Sequence, residues 1–371
     1  MDKSVALSPQ RVDGKMRSIE AARALAAIIV VLMHAANQMR VENLSGHIGL
    51  GGIFDFGYIG VDFFFVLSGF IITYVHFAEI GHADKVPRYL WRRFSRIYPI
   101  YWVILAIWIL TTLAARYATG KGVALDMGSA DIAGTVFLLM GAGDPKYVGV
   151  AWSLQYEVVF YIAFCLLLVS ARLGALVFGA WGLFVLARAF NLVHVELPLS
   201  LGSAHCLQFL FGVAVGVAGR RYQMRAPVMA LVPVLVAFIA AVVFEVYGPF
   251  DRHSAEGRIA LGLTSAAILA TLVALENGRQ LHTPAWLAHM GSVSYSIYLL
   301  HGLVLNIAYM AMLKFGIYHA LPEVLAFGIA VGAALAVTTL VGKVIELPLV
   351  DALKERRPIL VTAAAGSATR L

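Results

Sequence analysis

The sequence predicts an all-α fold, a polytopic transmembrane helix bundle of about ten spans with one short re-entrant or interfacial helix. Hydrophobic residues make up 61% of the 371 and charged residues 13%, against roughly 25% charged in a soluble domain, and the mean hydropathy is +0.83. Apolar runs of about 17–23 residues, the length a hydrocarbon core requires, recur along the chain. The basic residues gather in short segments between these runs, as they do on the cytoplasmic side of a membrane. The net charge of +7 therefore speaks for membrane orientation and gives no support for nucleic-acid binding. Two cysteines, Cys165 and Cys206, lie in apolar runs and suggest small core residues rather than a disulfide framework or a metal site.

Residues 1–18, with Lys3, Arg11, Lys15 and Arg17 against Asp2 and Asp13, read as a cytoplasmic tail before an uncleaved first span over Ile19–Asn37. Further spans are expected near 57–77, 97–115, 149–169, 173–190, 203–219, 227–247, 259–275, 292–313 and 322–343. Residues 19–347 then form the membrane domain and 348–371 a cytoplasmic C-terminal tail. The run at 131–142 is shorter, and charge parity decides its course. If it does not cross, the segment with Arg88, Arg92, Arg93 and Arg96, the cluster Arg220, Arg221 and Arg225, and the terminal Lys354, Arg356 and Arg357 all fall inside, as the positive-inside rule asks. Both termini are then cytoplasmic, and 131–142 is re-entrant or interfacial on the outer side, which is tolerated where backbone lines a cavity or is buried in protein.

The candidate chemistry begins in the first span. Arg23 and His34 lie eleven residues apart, roughly 16 Å along one helix, and an ionisable group at such depth costs on the order of 3 kcal/mol unless it faces a bundle interior or wet cavity. By the parity map, Asp62 and Glu157 come to the level of His34, where a carboxylate could orient the imidazole as a general base. The competing reading of Asp62 is a helix cap, and that of Glu157 a pair with an arginine. At the opposite face, Arg93 and Arg96 in RRFSRIYP are one turn apart and, with Arg92, suit phosphate oxygens; the alternative is an anchor on lipid head groups. His301, preceded by Tyr295 and Tyr298, either lines the same passage or tethers helices. Glu346 is expected to pair with an arginine of the 88–96 segment. A proton-relaying transporter or flippase for a glycolipid or acyl donor is the competing class, although no internal repeat of transporter type is visible.

Taken together, these segments resemble the acyltransferase-three family of bacterial integral-membrane O-acyltransferases. The likeness rests on Arg23 and His34, GVDFFFVLSGF (Gly60 to Phe70), RRFSRIYPIYW (Arg92 to Trp102), WSLQYEVVFY (Trp152 to Tyr161), SYSIYLLHG (Ser294 to Gly302) and the closing Glu346 and Pro348, in family order over nearly the whole chain. The opening SIEAARALAAIIVVLMHA is most similar to the exopolysaccharide-modifying subgroup. The resemblance implies an enzyme of the bacterial inner membrane that moves an acyl group, commonly acetyl from acetyl-CoA, onto a hydroxyl of a polysaccharide or its lipid-linked precursor. It implies acyl-CoA as a substrate and no permanently bound cofactor or metal, and leaves a homo-oligomer open. It makes His34 the essential histidine with Arg23 as its partner, and Arg93 and Arg96 the donor-binding pair. Trp152, Ser153, Tyr298 and His301 are the candidates for substrate contact. Where many members read WSLSVEE this chain reads WSLQYEV, so only the first glutamate, Glu157, carries over. Direct attack and an acyl-enzyme relay through Ser68 or Ser153 both remain open.

Overall fold

The computed structural model describes residues 16–41, 44–121, 127–141, 145–195, 197, 200–248 and 254–355. The expected tails 1–15 and 356–371 lie outside them. In chain order the helices are α1 (Arg17–Gln38), α2 (Ile59–His76), α3 (Val86–Ala118), α4 (Ser129–Phe137), α5 (Trp152–Val169), α6 (Ala171–Ala189) and α7 (Ala204–Arg221), followed by α8 (Pro227–Tyr247), α9 (Ala255–Asn277), α10 (Ala285–Ser292), α11 (Ser294–Lys314), α12 (Glu323–Val341) and α13 (Leu347–Glu355). A π-helical turn, Gly342–Glu346, joins the last two. Among the described residues, nine helices are long and apolar enough to cross a membrane, so the chain is a multi-pass all-α membrane protein. The tenth expected run is α7, an 18-residue helix whose apolar character is diluted by His205, Gln208, Arg220 and Arg221.

Two boundaries differ from the sequence reading. Helix α3 starts at Val86, eleven residues before its apolar run, because hydropathy marks only lipid-buried residues and the arginine segment is a helical extension. The helix expected to finish near 343 continues through the π turn into α13, to Glu355, well into the stretch read as a tail.

The short run is too short to cross. Helix α4 has nine residues, roughly 14 Å, less than half a hydrocarbon core of about 30 Å. Its final carbonyls, which a helix end leaves without partners, accept from side chains of α3: Tyr98 Oη bonds the Phe137 carbonyl at 2.9 Å and Trp102 Nε1 that of Val136 at 2.8 Å, while Tyr101 bonds that of Thr135. Trp102 lies sixteen residues before the end of α3, roughly 24 Å, so the end of α4 is held about midway along α3. Near the start of α4, Lys146 bonds Asp131 at 2.9 Å, and this bond holds the Asp131 carboxyl below the usual range. Helix α5 then runs antiparallel to α3, since Gly81 N–H bonds the Leu167 carbonyl at 3.0 Å and Tyr89 Oη the Tyr161 carbonyl at 3.2 Å.

The bundle is sewn by small residues and by buried carboxylates. The α2–α7 seam is close because Gly69, Gly212 and Gly216 lie in it, and a Cβ on Gly212 would sit 2.7 Å from the Phe70 nitrogen; close backbone approach through small residues is the usual helix glue in a membrane. Helix α1 has no side-chain cap of its own. Instead Glu276, at the end of α9, accepts from the Arg17 and Ser18 amides at 2.6 and 2.8 Å and from the Ser18 hydroxyl. Helix α11 is treated likewise: Glu346 accepts from Ser296 N–H at 2.9 Å and Ser296 Oγ at 2.8 Å.

Candidate active site

One cavity of ≈ 150 Å³ is walled by five helices, α1, α2, α3, α5 and α11. Arg23, Arg93 and Arg96 contribute guanidinium groups to it. Arg93 and Arg96 share a face of α3 because they are three residues apart. Arg93 lies over the rings of Tyr89 and Tyr161, 5.8 and 5.6 Å from their centroids, and its Nη2 donates to His76 Nε2 at 3.3 Å. His76 Nδ1 in turn donates to Glu79. Arg96 Nη1 stands 3.5 Å from Glu346, the pairing the sequence suggested. Arg23 pairs with Glu20 one turn earlier, at 3.1 Å. Arg92 turns away: its side chain is 40% exposed and faces Glu79 at 3.8 Å, because adjacent helical residues point about 100° apart.

Glu157 lines the same cavity, where it accepts from Ser68 Oγ at 3.2 Å and from the Tyr161 hydroxyl. Further along the wall, Ser153 Oγ and Tyr298 Oη bond each other at 2.9 Å, and both approach the Val150 carbonyl, at 3.0 and 3.3 Å. Trp152 is not in the wall. Its indole packs against Phe65, Tyr156 and His205, with centroids 6.2, 6.1 and 5.5 Å away.

His34 lies one ring beyond the cavity. The Tyr298 ring is 6.3 Å from that of His301, and His301 is 5.0 Å from His34. His301 is buried and its Nδ1 bonds the Ile297 carbonyl at 3.1 Å; His34 is half-buried. The α1–α11 seam around this pair is held by Gln38 Nε2 on the Gly302 carbonyl and Tyr309 Oη on the Ala35 carbonyl, both at 3.1 Å.

Neither carboxylate expected to orient His34 hydrogen-bonds it. Asp62 is wholly buried elsewhere: its Oδ1 accepts from Gln208 Nε2 at 2.7 Å and Arg258 Nη1 at 2.9 Å and is 3.7 Å from His205. Gly60 of α2, like Gly57 in the turn before it, packs closely on α1, and Asp62, two residues past Gly60, projects toward α7 and α9. The cap reading of Asp62 also fails, since α2 has no side-chain cap. Glu157 sits nearer the arginines than expected because α5 begins at Trp152 beneath the α4 segment, where Gln155 Nε2 bonds the Leu139 carbonyl at 3.2 Å. Ser68, Tyr161 and Tyr295, all in the cavity wall, received no binding role from the sequence; the signal was the helical spacing of Tyr161 from Glu157 and of Tyr295 from Tyr298.

The acyltransferase domain family matches residues 16–343. Among curated relatives, Acyltransferase MdmB of Streptomyces mycarofaciens is 26% identical, covering 93% of this chain and 94% of its own. Nodulation protein 10 of Rhizobium leguminosarum bv. viciae is 28% identical over 81% and 85%, and Exopolysaccharide production protein ExoZ of Rhizobium meliloti (strain 1021) is 27% identical over 77% and 85%. No solved structure matches the chain. A family match over most of the chain, on a bundle of apolar helices with a buried polar cavity, sets the transporter reading aside: the protein belongs to the acyltransferase domain family and is a multi-pass membrane acyltransferase of the non-aminoacyl kind.

Proposed function

We propose that the protein is a bacterial inner-membrane O-acetyltransferase that takes acetyl from cytoplasmic acetyl-CoA and places it on a hydroxyl of an exported polysaccharide or its lipid-linked precursor. The observation that carries this reading is the convergence of three arginines in one cavity whose far wall, Tyr298, leads through His301 to His34. Guanidinium forks suit the donor phosphates, so Arg93 and Arg96, with Arg23, hold them at the cytoplasmic end. The apolar wall of Val61, Phe64 and Phe65 suits the uncharged arm that carries the thioester toward His34. There His34 takes the proton of the acceptor hydroxyl, the oxygen bonds to the acyl carbon, the carbon–sulfur bond breaks, and the departing thiolate regains the proton from His34. Ser153 and Tyr298 border the point of transfer. Exopolysaccharide as the acceptor class is supported by the name of the ExoZ relative. The test compares the O-acetyl content of surface polysaccharide in cells with the gene, without it, and with His34→Ala. Loss in both altered strains, at normal levels of the variant protein, is the expected result; unchanged acetyl content without the gene would sink the reading.

A further inference from the structure

His301 offers the one imidazole face near His34 that the rest of the site does not use. Its Nδ1 lies 3.1 Å from the Ile297 carbonyl, and because a carbonyl only accepts, Nδ1 carries the proton and Nε2 keeps a free lone pair. That Nε2 is buried without a hydrogen-bond partner. Buried polar atoms are normally paired, and an exception asks for a reason. A histidine serving only to tether helices has no need of an open acceptor, and this one lies with its ring 5.0 Å from that of His34. Asp62 faces Arg258 and Gln208 on the α7–α9 side, and Glu157 is held by Ser68 and Tyr161. The orienting place beside His34 is therefore open to His301 alone among the expected partners.

We propose that His301 is the positioning residue for His34, its Nε2 receiving the His34 N–H so that the opposite nitrogen of His34 is aimed at the acceptor hydroxyl. The proposal rests on His34 being the base. Rotation of the His34 ring, which is only partly buried, closes the gap, in keeping with catalytic hydrogen bonds that are loose without substrate and tighten with it. A neutral acceptor fits this depth better than a carboxylate, since it steadies the imidazolium formed during transfer without burying a second permanent charge. The backbone bond to Ile297 fixes which nitrogen is free, so the tautomer of His301 dictates that of His34.

The experiment uses purified full-length protein with radiolabelled acetyl-CoA as donor and chemically de-O-acetylated surface polysaccharide from the source organism as acceptor. His301→Ala is expected to lower kcat about 10- to 100-fold, the scale on which removing the group that orients a histidine acts, while KM for acetyl-CoA stays within about twofold. His301→Gln, whose amide oxygen restores an acceptor, is expected to recover most of the loss. Wild-type kcat in both variants, an increase in KM at unchanged kcat, or loss of folded protein in both would each overturn the proposal. His34→Ala run in parallel separates the two ideas: transfer surviving there refutes the base itself, whereas an inactive His34→Ala beside a fully active His301→Ala refutes only the positioning role.

Discussion

Glu157 holds two hydroxyl donors, Ser68 and Tyr161, in the cavity that also takes Arg93 and Arg96, so its carboxylate is engaged there rather than lent to His34. Replacing Glu157 by Gln keeps its shape, removes that charge, and is expected to alter donor affinity more than a base-removal variant does, as measured by acetyl-CoA binding to purified protein. His34→Ala, by contrast, is expected to reduce transfer by a factor of about 10² to 10⁴ while acetyl-CoA still binds. Arg93→Ala removes a guanidinium that donates to His76 and lies over two tyrosine rings. It is expected to weaken CoA binding by roughly 1.5–3 kcal/mol for a lost bond to a charged group, or about ten- to hundredfold in Kd. Asp62 is wholly buried and its partner Arg258 largely so, so Asp62→Ala, which breaks a buried pair, is expected to cost roughly 3–5 kcal/mol, read as a lower melting temperature or loss of expressed protein. At this scale the sequence showed which residues were costly to bury, since Arg23, His34, Asp62, Glu157 and His301 all stand in apolar runs. It did not show which pairs they form, because a helix turns about 100° per residue, and a two-residue offset sends Gly60 toward α1 and Asp62 toward α7.

Among the elements, α4 is the one whose course follows from counting charges. Parity required that it not cross, and the antiparallel packing of α3 and α5 agrees. Reporter groups at Gly120 and Gly149, on either side of α4, are expected to be reached from the same face of the membrane, and labelling from opposite faces would contradict both arguments. What the sequence kept hidden is the purpose of IYPIYW: the segment carried a family likeness and no role for Tyr98, Tyr101 or Trp102, whose hydroxyl and indole donors terminate α4. Phenylalanine at Tyr98 or Tyr101 leaves an α4 carbonyl unpaired, costing about 1–3 kcal/mol each. The GVAVG stretch of α7, Gly212 to Gly216, was similarly legible in principle, as a small-xxx-small motif; only the contact with Val66, Phe70 and Thr73 says which helix it receives.

For the molecule as a whole, two of the basic segments expected on one side, those of Arg92–Arg93 and Arg220, lie at one end of the bundle, while Arg356 and Arg357 lie outside the described residues. Arg220 bonds the Tyr74 carbonyl at 3.0 and 2.7 Å and lies over its ring, near the end of α2; Arg92 and Arg93 meet Glu79 and His76 just beyond it. Positive-inside counting could find that shared end because it depends on composition alone, whereas the cavity depends on how five helices, from α1 to α11, pack together. The two carboxylate clasps, Glu276 on the start of α1 and Glu346 on the start of α11 and Arg96, bear on how such a protein comes into being. Each clasp reaches backward along the chain, from a residue made late to a helix made early. While the polypeptide is still emerging from the ribosome, the arginine–histidine helix therefore waits some 250 residues for its clasp, and α11 with Arg96 waits until residue 346 is laid down. An unfinished chain thus has each helix before it has the carboxylate that clasps its start.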